Sequence, residues 1–193
     1  MRPKYVVPLQ SEVDFSSPYV MDDFLPPEEF EAIRSLVCNE NEDVSFGFFL
    51  HKFVSSSTEL DDQSLSNNYW NWYGTHMLYD DNQPTSSRCG IFYNLIVKKF
   101  YDMEIISALI RIKANFYPWT ETIREHLFHA DYPYKNNGAL FSINTCDGYT
   151  EFEDGTKIDS VANRMMLFNP SIPHRSTTTT NAFGRFNINF NFT

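Results

Sequence analysis

His129-Ala130-Asp131 sets an imidazole and a carboxylate two residues apart. In an extended strand, residues i and i+2 point to the same side, so one metal ion can take both. His174, in Asn169-Pro170-Ser171-Ile172-Pro173-His174, stands where a new strand is expected to begin and offers a third donor. Two histidines and one carboxylate form a facial set with open coordination positions, an arrangement suited to non-haem iron(II). His-x-Asp alone is weak, because a turn-forming Asp beside a surface His gives the same letters. His126 is left outside the set: on a strand it faces away from His129, and Ile123 to Phe128 shows no helical stripe. His51 and His76 have no ligand-like neighbours and read as structural or surface residues.

Arg185 strengthens the set. A turn at Thr177 to Asn181 would form a hairpin that brings Arg185 almost opposite His174. A guanidinium there grips a carboxylate bidentately while the far end of the same ligand chelates the metal. The dicarboxylate 2-oxoglutarate fits, with its keto-acid end on iron and its distal carboxylate on Arg185.

The elements that must position these groups follow from the pattern. In Ile110 to Tyr117, residues Ile110, Ile112, Ala114 and Phe116 share one face, and Arg111, Lys113, Asn115 and Tyr117 the other. The last strand alternates likewise, with Phe186, Ile188, Phe190 and Phe192 opposed to Arg185, Asn187, Asn189 and Asn191. Asparagine is a poor β-former, so an asparagine face is better explained by a polar cavity than by solvent. Tyr117 is the next residue assigned to the co-substrate, and Asn115, Asn187 and Thr150 are further pocket candidates.

Upstream, Tyr5 to Phe24 reads as an edge strand or arm. Leu25-Pro26-Pro27-Glu28-Glu29-Phe30 opens a helix carrying Ile33, Leu36 and Val37 at helical spacing, with Asn39 and Asn41 ending it. Residues 55–87 are polar and turn-rich apart from Tyr69-Trp70-Asn71-Trp72-Tyr73, which suits a substrate lid or core packing equally. A second helix is expected from about Ser87 to Tyr101, with Ile91, Leu95 and Val97 on its apolar side. From Ile105 onward, short β segments are divided by Gly, Asn, Asp or Pro.

The whole chain is read as one domain, with N-terminal support over about 1–104 and a β core over about 105–193. Its 193 residues are 42% hydrophobic and 17% aromatic, enough for a core. A net charge of −10 repels the phosphate backbone, so nucleic acid is a disfavoured partner. The separated Cys38, Cys89 and Cys146 suggest neither a disulfide framework nor a structural zinc site. No apolar run reaches the ~20 residues of a membrane span. Met1-Arg2-Pro3-Lys4-Tyr5 lacks a secretory signal's apolar stretch, so a soluble, cytoplasmic protein is expected.

In order, these motifs resemble the iron(II)/2-oxoglutarate-dependent oxygenases, and within them the prolyl-4-hydroxylase-like group. Tyr117-Pro118 precedes His-x-Asp as in that group. An apolar strand at Ala139 to Asn144 follows, then Gly148-Tyr149-Thr150-Glu151-Phe152 and Asn163-Arg164-Met165-Met166-Leu167-Phe168, and last His174 and Arg185. The likeness covers about residues 105–193 well and the first half loosely. Asp147-Gly148 stands where the family often has Gly-Gly. The chain is also similar to small hydroxylases of bacteria and their phages, which would put it in a host cytoplasm.

The resemblance implies a mainly β double-stranded β-helix, or jelly roll, with N-terminal helices bracing the major sheet. It implies Fe(II), 2-oxoglutarate and dioxygen, with ascorbate as a candidate auxiliary, and hydroxylation of an unactivated C–H bond of a peptide, protein or small molecule. Peptidyl proline is the family's expectation. The alternatives are a nucleic-acid demethylase with the same iron chemistry and a non-catalytic ligand-binding jelly roll.

Overall fold

A computed structural model describes residues 13–38, 45–54 and 70–193. The proline pair opens helix α1, Pro27–Val37, as expected. No side chain caps its start, so Glu28 and Glu29 in the first turn and Arg34 in the last complement the helix dipole. Ile33 and Val37 are buried, with Phe30 and Leu36 packed against the same core. Asn39 and Asn41 lie outside the described residues.

The second helical stretch forms in three pieces: α2 at Cys89–Phe92, a π-helical turn at Tyr93–Val97, and α3 at Lys98–Asp102. The wider turn shifts the apolar stripe. Phe92, Ile96, Val97 and Phe100 are fully buried, while Ile91 and Leu95, expected on the inner side, are only partly so.

Among the described residues there are eleven strands in chain order: β1 Tyr19–Met21, β2 Phe49–Lys52, β3 Trp72–Asp80, β4 Gln83–Pro84, β5 Leu109–Pro118 and β6 Asn137–Ser142, then β7 Tyr149–Phe152, β8 Lys157–Asp159, β9 Arg164–Phe168, β10 His174–Ser176 and β11 Gly184–Phe192. The large sheet runs β1-β9-β6-β11-β5-β3-β2, with β4 on β3, and the small one β10-β7-β8. Every described ladder is antiparallel. This is the mainly β architecture expected, and β1 is the edge strand foreseen for the N-terminal stretch.

The stretch read as polar and turn-rich contributes, in its described part, the long strand β3. Trp72 and Tyr73 begin that strand, so they belong to the sheet; Tyr69 lies outside the described residues. Aromatic and β-branched residues there outweigh the polar ones between them, because the strand pairs with β5 through Gly74 to Tyr79. Gly74 has no room for a side chain, since a Cβ would come within 2.9 Å of Phe48 Cβ.

β5 and β11 carry the two-faced pattern. Ile112, Ala114, Phe186, Ile188, Phe190 and Phe192 are buried in one cluster with Ile33, Phe92, Ile96 and Phe100 from the helices. The apolar face of the large sheet therefore lies under the helices. A register break between Asn191 and Phe192 pairs Phe192 with Leu109, so Leu109, not Ile110, joins the core. On the other face the ladder reads Arg185↔Tyr117, Asn187↔Asn115, Asn189↔Lys113 and Asn191↔Arg111.

The expected hairpin from His174 to Arg185 does not form. β10 pairs with β7, whereas β11 pairs with β5 and β6, so the chain crosses from the small sheet to the large one. Thr177, Thr178 and Thr179 are fully buried in that crossing. Their hydroxyls are occupied: Thr177 Oγ1 accepts from the Tyr149 N–H, Thr178 Oγ1 from the Arg124 N–H, and Thr179 Oγ1 donates to Asp147. Among the described residues no helix is long and apolar enough to cross a membrane.

Candidate metal centre

His129 and His174 face each other across an isolated antiparallel bridge and exchange two backbone hydrogen bonds, each 2.9 Å. Their rings stand with centroids 4.9 Å apart. Asp131 follows in a bend, tied by its N–H to Pro170 O at 2.9 Å. The His-x-Asp stretch is thus held by one bridge to the start of β10 and one hydrogen bond to Pro170, rather than being part of a regular strand. One ligand atom from each of His129, Asp131 and His174 lies within 4.8 Å of the others.

The hydrogen bonds decide which atoms face inward. His129 Nδ1 contacts Leu127 O at 3.3 Å, and His174 Nδ1 contacts Ile172 O at 2.9 Å. A carbonyl only accepts, so each Nδ1 carries the proton and each Nε2 keeps its lone pair. Asp131 Oδ2 accepts from Arg111 Nη2 at 3.1 Å, Asn189 Nδ2 at 3.0 Å and Asn191 Nδ2 at 3.2 Å. Oδ1 is left toward the imidazoles, 3.9 Å from His129 Nε2. Outer partners that fix tautomer and carboxylate orientation are what a metal site needs.

Electrostatics keep the donors in their binding forms. Burial raises the Asp131 pKa, but Arg111, Lys113 and the two imidazoles outweigh it and hold the carboxyl at about 2. Burial, helped by His174, pushes His129 down and favours its neutral form.

The cavity beside the triad is lined by Tyr73, Lys113, Asn115, Tyr117, Thr150, Ser176, Asn187 and Asn189, among others. Every pocket candidate named from the sequence other than Arg185 thus faces it. Arg185 lies just behind, buried, donating to Tyr149 O at 2.7 Å and Thr150 Oγ1 at 2.8 Å, with its guanidinium over the Tyr117 ring. No carboxylate of a described residue lies within ion-pair distance of it, and its Nε has no partner. Asn115 Oδ1 and Asn189 Oδ1 are likewise buried without partners.

His126 is buried outside the triad, with Nδ1 at 2.9 Å from Ser176 O. Burial drives its pKa down to about 3. His51 and His76 are structural: His51 bonds Thr75, and His76 bonds Gly47 O and Ser86 while stacking on Phe46. Tyr73, expected in a lid or the core, instead lines the cavity and stacks on Tyr117 at 6.1 Å, and sequence reasoning missed Ser176. It also missed that Arg111, Asn189 and Asn191 converge on Asp131. The asparagine face was a signal for a cavity, but only the β5–β11 register shows which rungs meet the carboxylate.

No family model and no curated protein matches the sequence. Solved structures do. A Trichoplax adhaerens prolyl hydroxylase, in complex with a hypoxia inducible factor oxygen degradation domain peptide, superposes with a TM-score of 0.63 at 14% identity, covering 95% of this chain and 87% of that one. A Pseudomonas putida prolyl-4-hydroxylase gives 0.60 at 13%, covering 95% and 96%. A non-haem α-ketoglutarate-dependent carbocyclase from nogalamycin biosynthesis gives 0.60 at 10%, covering 92% and 79%. The chain therefore has the jelly-roll fold of the prolyl hydroxylases and other 2-oxoglutarate–iron(II) oxygenases.

Proposed function

We propose that this chain is an iron(II)- and 2-oxoglutarate-dependent dioxygenase that hydroxylates an unactivated C–H bond. The observation that carries the reading is the orientation of three donors. Both Nδ1 atoms and Asp131 Oδ2 are occupied by protein, which leaves two Nε2 atoms and Oδ1 converging on one point. A neutral-imidazole, single-carboxylate set fits iron(II).

When bound, the iron couples dioxygen to oxidative decarboxylation of 2-oxoglutarate, so that the products are succinate, carbon dioxide and the hydroxylated substrate. The chain's own groups bind and orient. His129, Asp131 and His174 would hold the metal. Arg185, a buried cation without a carboxylate partner among the described residues, takes the distal carboxylate of the co-substrate. Tyr117 donates its hydroxyl to the same ligand, and Asn115 and Asn187 line the path between. Residues from both sheets line the cavity around the reacting atoms.

Peptidyl proline is the proposed substrate. Two structural relatives that are prolyl hydroxylases, one of them solved with a peptide, support it. The third relative is a carbocyclase of nogalamycin biosynthesis, which keeps a substrate other than a peptide as the second reading. The test is anaerobic loading with Fe(II), then admission of oxygen with 2-oxoglutarate and proline-containing peptides. Succinate and a peptide heavier by one oxygen atom are expected. Iron-dependent succinate release that survives Asp131→Ala would overturn the metal assignment.

A further inference from the structure

Lys113 lines the cavity and stays partly accessible from it, yet it makes no hydrogen bond or ion pair with any described residue. It stands on the rung of Asn189, whose amide holds Asp131 Oδ2. Arg111, the next cation along β5, is already committed to Asp131 and Asn191. Burial draws the Lys113 pKa down to about 8, with Arg111 acting in the same direction and Asp131 opposing. Its Nζ lies 5.9 Å from the centroid of the Tyr73 ring, a contact that leaves its hydrogen-bond donors unused, and an ammonium so placed costs free energy unless an anion meets it.

The second cation without an ion pair among the described residues, Arg185, lies on the rung of Tyr117 on the same sheet face. At roughly 3.3 Å per residue, the two rungs are about 13 Å apart along the strand. A five-carbon dicarboxylate bridges that span once each cation's side chain reaches inward. Between them stand the neutral amides of Asn115 and Asn187. Lys113 marks the metal end and Arg185 the far end.

We propose that Lys113 holds the carboxylate next to the keto group of 2-oxoglutarate, so that cations on one sheet face grip the co-substrate at both ends. This rests on the oxygenase reading above. A substrate anion meeting Lys113 is the competing possibility, but the shared face with Arg185 favours a ligand laid along the large sheet.

Direct binding tests it without turnover. Protein loaded with Mn(II), which binds without driving the oxidation, is titrated calorimetrically with 2-oxoglutarate and with 2-oxobutyrate, which lacks the distal carboxylate. Lys113→Met should weaken both ligands by a similar factor, at least about tenfold, leaving the preference for the dicarboxylate intact. Arg185→Gln should weaken 2-oxoglutarate alone. Lys113→Arg should recover most of the loss, and Lys113→Gln serves if the methionine variant does not fold. Unchanged binding of both ligands in Lys113→Met would overturn the assignment, as would collapse of the dicarboxylate preference, which would make Lys113 the distal anchor. Wild-type protein that binds neither ligand with metal present would overturn the oxygenase reading itself.

Discussion

In the proposed metal site, Asp131 is oriented by residues that would never touch the metal. Its Oδ2 takes three donors from β5 and β11, and this fixes which oxygen faces the imidazoles. Removing one amide, in Asn189→Ala or Asn191→Ala, should leave the fold intact and weaken metal binding about 10- to 100-fold. Titration with Mn(II) measures it, and unchanged affinity in both variants would mean that Oδ2 needs no help. His126 gives a different kind of prediction. Burial lowers its folded pKa to about 3, below the ordinary ~6.5 of the unfolded chain. The unfolded state then binds more protons between those values. Its stabilising contribution is complete above pH ~6.5 and is lost as pH falls toward 3, at up to about 1.4 kcal/mol per pH unit. In urea unfolding, wild type should therefore lose stability relative to His126→Asn between pH 7 and pH 5. A constant difference would show that the imidazole is not held neutral.

At the scale of elements, the alternation along β5 and β11 was legible in the sequence because its period is two and both faces are decisive. Phe190→Ala should cost about 3 to 5 kcal/mol of stability, since it opens a cavity beneath Phe100. Asn189→Ala, on the cavity face, should cost much less; equal losses would reverse the assignment of faces. His-x-Asp, His174 and the asparagine face were also readable, because they are local. What was not readable depends on pairing. The crossing from β10 to β11 looked like a hairpin, because a threonine run beside Asn reads locally as a turn, and only the sheets distinguish the two. The π-helical turn and the bulge at Ile110 each displace one residue, which no periodicity reveals in advance. Gly148 illustrates a third kind of constraint. A Cβ there would lie 2.8 Å from Arg185 Cδ and from Thr178 O. Gly148→Ala should displace the guanidinium and weaken 2-oxoglutarate while sparing Mn(II) binding, with calorimetry as the check.

Over the whole molecule, charge is segregated. The chain carries a net −10, yet Lys113 and Arg185 stand at the cavity without an ion pair among the described residues, and Lys113 only feels the charge of Asp131 from beyond contact. Such a distribution disfavours polyanions at the surface and favours a small dianion inside. The strand order carries a consequence for how the protein comes to exist. β11, the last strand, is not an edge: it lies between β5 and β6 and supplies the cavity floor and much of the core. The far end of the sheet depends on late sequence too. Asn163 bonds both the N–H and the carbonyl of Leu25, 138 residues away, and clasps the approach to α1. A chain emerging from the ribosome therefore holds β5 and β6 with their shared neighbour missing, and α1 without its clasp. Most of the stabilising pairs join distant segments, so loop closure precedes the contacts that reward it. Folding should wait for β11 and be slow. Nascent chains arrested before Gly184 has left the exit tunnel should be as protease-sensitive as the unfolded protein, and resistance should arise in one step once β11 is free. The unpaired, aromatic-rich strands exposed in that interval are where aggregation would begin.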